Sequence, residues 1–176
     1  MIYESEYWKD DLLRSAKILK EKKRQKYWRS SSFALVEKTI FVSFYSIRKL
    51  YESHKVSGDN FDKNIEVFSY PTNVWSNENG INFFSRYNNH FKMHEPSRDA
   101  ITVKYLCNQV IHSYFFEIEV DIGLDSILVA SDFDAKKRIR RVSVDTLINV
   151  FESIGNDYPS RIEYDSKRNK PYLISR

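Results

Sequence analysis

The sequence predicts an α+β fold, and three observations carry the prediction. Within about residues 1–114 the apolar residues recur at three- to four-residue spacing on either side of an irregular part at 58–97, and beyond about 114 the period changes to two. The chain is 41% hydrophobic and 15% aromatic, enough to bury a core and to exclude a disordered chain. Four Gly and four Pro in 176 residues exclude collagen-like and Pro-rich scaffolds. The expectation is a single domain, 1–176. A helical half (about 1–114) of two long helices plus a third precedes a β-rich half (about 115–176), a small antiparallel sheet with one packed helix.

Taken in order, Trp8, Leu12, Ala16 and Leu19 share one face of a first helix. Ser30, Ser31 and Ser32 offer N-caps for a second helix, Phe33 to Tyr51. That helix is apolar on most sides, which predicts burial among other helices, with fraying near His54 and Gly58 as the stop. Ile65 to Tyr70 alternates as a short strand ended by Pro71, and an asparagine-rich connection follows, with one helical turn expected at Phe83–Tyr87. Ser97 as N-cap and Asp99 in the first turn predict a third helix running to about Phe115. Phe116–Asp121, Ser126–Ala130 and Ile139–Val142 read as strands, the last two joined by an Asp132–Lys136 loop. Ser143 caps a helix that Gly155 ends, and the tail reads as a hairpin turning through Ser166–Asn169 with an exposed edge.

The start of the chain is acidic and polar, unlike a secretory leader, and no apolar run reaches the ~20 residues of a membrane helix. One cysteine, Cys107, excludes an internal disulfide framework. The expectation is a cytoplasmic protein with no membrane partner and no cofactor. A surplus of 28 basic over 24 acidic residues makes the surface mildly basic. Much of that surplus falls in one segment, where Lys17, Lys20, Lys22, Lys23, Arg24, Lys26 and Arg29 surround Tyr27 and Trp28. Cations that track a phosphate backbone, interleaved with aromatics that stack on bases, form the pattern of a nucleic-acid interface. Lys136, Lys137, Arg138, Arg140 and Arg141 form a second basic cluster, whose simplest role is to pair with the acidic strand Glu117, Glu119, Asp121.

The segment Leu106-Cys-Asn-Gln-Val-Ile-His112 resembles the motif of the HEPN group, small helical proteins of bacterial toxin–antitoxin and antiphage systems. The motif is an Arg, commonly followed by Asn, with a His four to six residues after the Arg. Asn108 and His112 fit it, and Cys107 stands where the Arg belongs. The resemblance implies an RNA partner, with the Arg stabilising phosphate charge and the His transferring protons. A cysteine supplies no fixed charge, so the catalysis would be degenerate.

The first expectation is therefore a non-catalytic module binding nucleic acid, RNA more than DNA, or a protein partner, as a homodimer or complex subunit. The alternative is a HEPN-type endoribonuclease using His112 with Asn108 and a cation from elsewhere, such as Lys104 or Arg98. Lys104 sits about 12 Å along the axis from His112. The Arg48-to-His54 spacing also matches the motif, at a frequency expected by chance. A third reading sets Asp121 with Asp134 and Lys136 as a magnesium-dependent nuclease. His90 and His94, four apart but beside Pro96, read as loop histidines rather than a zinc pair. Cys107 and His112, five apart on a helix, point about 140° apart and make a poor nucleophile–base pair.

Overall fold

The computed structural model describes residues 2–73, 90–165 and 170–174, with side chains described up to residue 160. The expected helical turn at Phe83–Tyr87 and the hairpin turn Ser166–Asn169 lie outside the described residues. The elements run α1 (Ser5–Lys22), α2 (Ser30–Glu52), α3 (Gly58–Phe61), β1 (Asn64–Pro71), β2 (Ser97–Thr102), α4 (Val103–Ile111), β3 (Ser113–Val120), β4 (Leu124–Ser131), α5 (Asp132–Ala135), β5 (Arg138–Ser143), α6 (Val144–Gly155), β6 (Arg161–Asp165) and β7 (Lys170–Ile174). The fold is α+β.

Five strands form one antiparallel sheet in the order β2-β1-β5-β4-β3, and β6–β7 form a separate hairpin whose second strand runs beside α3. α4 carries the chain from one edge of the sheet to the other, because β2 and β3 are the two edge strands. α4 and α6 pack on one face of the sheet, and α1 and α2 pack on them. Val67, Ile127, Val129 and Val142 from the sheet meet Phe44, Ile47, Leu106, Val110 and Phe151 there in the main core. Phe44 sets its ring edge-on to Phe151, 5.4 Å between centroids, which ties α2 to α6. The opposite face carries a smaller core of Tyr70, Leu128, Ala130 and Ile139, covered by Phe91.

Several sequence expectations are corrected. Ser97 and Asp99 do not open a helix; they lie in β2, where Ser97–Thr102 pairs with β1 over six positions. The ladder satisfies the backbone groups that a helix turn would have satisfied, and the helix begins only where Thr102 accepts a bond from Tyr105 N. The serine run does not cap α2: Arg29 is the N-cap residue and makes no side-chain cap bond. α2 ends at Glu52, and His54, not Gly58, takes the left-handed turn at φ 56°. Lys55 N then bonds back to Leu50 O, the closure that usually recruits glycine. α2 is also less buried than its composition suggests. Leu35, Val42 and Tyr45 remain exposed on its outer side, because α1 and α4 cover only the remainder. The Asp132–Lys136 loop contains a single helical turn, α5, capped by Ser131. No helix among the described residues is long and apolar enough to cross a membrane.

Candidate nucleic-acid interface

The basic segment occupies the end of α1 and its connection to α2. Leu12, Ala16 and Leu19 are buried on the inner side of α1, and Lys17 and Lys20 are exposed. Gln25 organises the connection: it accepts from Lys22 Nζ at 2.6 Å, and its amide donates to Tyr27 O at 2.7 Å and Ser32 Oγ at 2.9 Å. Trp28 Nε1 donates to Gln25 O at 2.9 Å, and its ring packs on Phe33, 5.0 Å between centroids. Trp28 therefore anchors the connection to the core, whereas Tyr27 is 87% exposed. Lys20 and Lys23 are engaged in exposed ion pairs with α6, to Glu152 at 2.5 Å and Asp145 at 2.6 Å. Lys17, Arg24, Lys26 and Arg29 are exposed and have no ion pair among the described residues. The predicted set thus divides into a braced half and a half presented to solvent.

The second basic cluster does not extend this patch. Lys23 sits at the β5–α6 junction through Asp145, while Lys136, Lys137 and Arg138 lie at the start of β5. The strand between them spans about 17 Å. As expected, Arg141 pairs with the acidic strand, donating to both oxygens of Glu119 at 2.6 and 2.7 Å. Arg140 points to the other face. It is 6% exposed, donates to Asp134, itself 5% exposed, and lies 3.3 Å from Asp99. Tyr105 donates its hydroxyl to the same Asp134 oxygen, and burial raises the Tyr105 pKa above its usual range, Asp134 adding to the effect. Asp134 is thereby committed to a buried ion pair. Asp121 stands in the turn at the far end of β4, about 23 Å of strand away, so the two carboxylates are not brought together. No cluster of His, Cys, Asp and Glu among the described residues has the makings of a metal site.

His112 is the C-cap residue of α4 and is exposed, with Asn108 exposed one turn earlier. Cys107 points inward and is fully buried, and burial drives its thiol far above the ordinary range. A cation from α2 stands beside His112. Arg48 Nη1 lies 3.4 Å from His112 Nε2, while Arg48 Nε donates to Glu52 at 2.9 Å. A guanidinium only donates, so in this contact the imidazole presents the Nε2 lone pair. Neither Lys104 nor Arg98 makes this contact. Sequence reading missed Arg48 as the partner of His112, because 64 residues separate them and only the α2–α4 packing joins them. Set against protein-family models, curated proteins and solved structures, the chain matches none.

Proposed function

We propose that this protein is a non-catalytic RNA-binding module whose electrostatic contact is the α1–α2 connection, in the bacterial defence or toxin–antitoxin setting that the HEPN resemblance implies. The observation that carries the reading is Tyr27, 87% exposed on a connection braced from within by Gln25 and Trp28. An aromatic ring held out to solvent costs apolar burial, and it is flanked by Arg24, Lys26 and Arg29, which have no ion pair among the described residues. Cations supply backbone affinity, and a projecting ring supplies a stacking surface that accepts any base.

The test is the affinity of a 20-nucleotide single-stranded RNA across a salt series for wild type and K17Q/R24Q/K26Q/R29Q. The expected salt slope falls by about 0.7 for each phosphate contact removed. Equal slopes in the two proteins overturn the reading, and an absence of RNA binding points instead to a protein partner.

A second reading, an endoribonuclease, is favoured by one contact, Arg48 beside His112 on an exposed surface. The Arg would stabilise charge on a phosphate while the imidazole moved a proton. It predicts magnesium-independent RNA cleavage that H112A and R48Q each abolish with an unchanged melting temperature. RNA left intact by wild type excludes it.

A further inference from the structure

Among the described residues, the sheet face opposite the main helices is only half covered. At the end where β1 finishes, Tyr70, Leu128 and Ile139 are closed over by Phe91, with Met93 and Phe115 packed around them. At the other end the face is an open groove of about 830 Å³, within the ~300–1,000 Å³ range of ligand pockets. Ala100, Ser126 and Ser143, all small, line it with Phe68, Arg98 and Arg141, and Glu66, Asp99 and Asp125 add carboxylates to its wall. Phe68 is 44% exposed, and the register seats it between Arg98 of β2 on one side and Arg141 of β5 on the other. Arg141 is a fixed wall: it is held by both Glu119 oxygens and donates to Tyr70 Oη at 2.9 Å. Arg98 is exposed and has no ion pair among the described residues.

We propose that this groove holds a nucleotide of single-stranded RNA, its base stacked on Phe68 and its phosphate at Arg98. The chemistry is specific to the placement. An exposed ring on a β-strand has its face accessible to a planar partner, and the small neighbours leave room for a base beside it. The groove also leads to the α1–α2 connection. Ser143 and Thr146 line its rim, and Asp145 between them holds Lys23 at 2.6 Å. A strand leaving Phe68 past that rim arrives at the exposed cations of the connection. The inference rests on the RNA-binding reading and adds to it the place where a base is bound.

The experiment compares binding of single-stranded hexauridylate and of the 20-nucleotide RNA by wild type, F68L, R98Q and the quadruple connection variant. Leucine keeps the apolar volume at a half-exposed position, and thermal melting verifies each fold. F68L is expected to weaken hexauridylate about tenfold with an unchanged salt slope, and R98Q to lower the slope by about 0.7. Photo-crosslinking with 4-thiouridine RNA is expected to label the peptide carrying Phe68 in wild type and in the quadruple variant. Unchanged affinity in F68L with crosslinks confined to the connection overturns the groove and leaves the RNA reading intact. Equal affinity for duplex RNA, whose base faces are hidden, also overturns the groove. No binding of any RNA by wild type overturns both.

Discussion

Arg140 shows how much a single buried residue decides. Its charge is balanced by Asp134 and Asp99, and the Tyr105 hydroxyl completes the Asp134 partners. Removing the guanidinium leaves Asp134 buried without a counter-charge, so R140M is expected to lose roughly 3–5 kcal/mol in denaturant titration. Adding D134N to R140M is expected to recover part of that loss, since the orphaned charge goes too. Asp99 in the same group gives a pH prediction. Its burial alone would raise the carboxyl, but the Ser69 hydroxyl at 2.8 Å and the Arg140 charge outweigh it and hold the pKa below the ordinary 3.8. A folded value below the unfolded one contributes stability above about pH 3.8, lost as pH falls through the folded value. Acid unfolding of D99N is therefore expected to have a shallower dependence on pH below 4 than that of wild type. None of these partnerships was legible in sequence. Asp134 and Arg140 were each assigned to a neighbour in a charge pattern, and the register then turned Arg140 to the other face from Arg141.

The elements divide by how local their determinants are. α6 was legible because its signal is contained within a few residues: Ser143 accepts from Thr146 N at 3.1 Å, and Val144, Leu147, Ile148 and Phe151 form its buried stripe. S143A is expected to cost about 1 kcal/mol. Gly155 was expected to end that helix; it is the last helical residue, Asn156 is the C-cap, and the reason for the glycine is different. A Cβ there would lie 2.7 Å from Leu13 Cδ2 and 3.2 Å from Lys9 O, so glycine permits the close approach of α1. The β3–β4 turn shows the same logic, with a Cβ on Gly123 meeting Lys23 O at 1.9 Å. That contact is with backbone and has no side chain to move aside. G123A is expected to lose roughly 1–3 kcal/mol, with the readout a lowered melting temperature, and to disturb the α1–α2 connection. Ser97–Thr102 was misread because its helix signal, a serine followed by an aspartate, is weaker than six paired positions on β1.

At the scale of the molecule, the strand order β2-β1-β5-β4-β3 decides what stands near what. It sends the Lys136–Arg138 cluster to one end of the sheet and the α1–α2 connection to the other. K136Q/K137Q/R138Q is accordingly expected to change RNA affinity far less than K17Q/R24Q/K26Q/R29Q, measured by the same titration. Among the described residues, the order also leaves one sheet face half open, since the long helices follow the other face.

By itself the sequence determined the fold class, the two long helices, the run of late strands and the presence of a basic, aromatic segment. Each rests on periodicity or composition over a short stretch, which the chain carries locally. Only the tertiary structure decided that Arg48 meets His112, that Asp121 and Asp134 stay apart, and that Phe68 lies between two arginines. Those juxtapositions depend on strand order and helix packing. The burial of a shared core selects them, and it joins residues whose separation along the chain leaves no local trace.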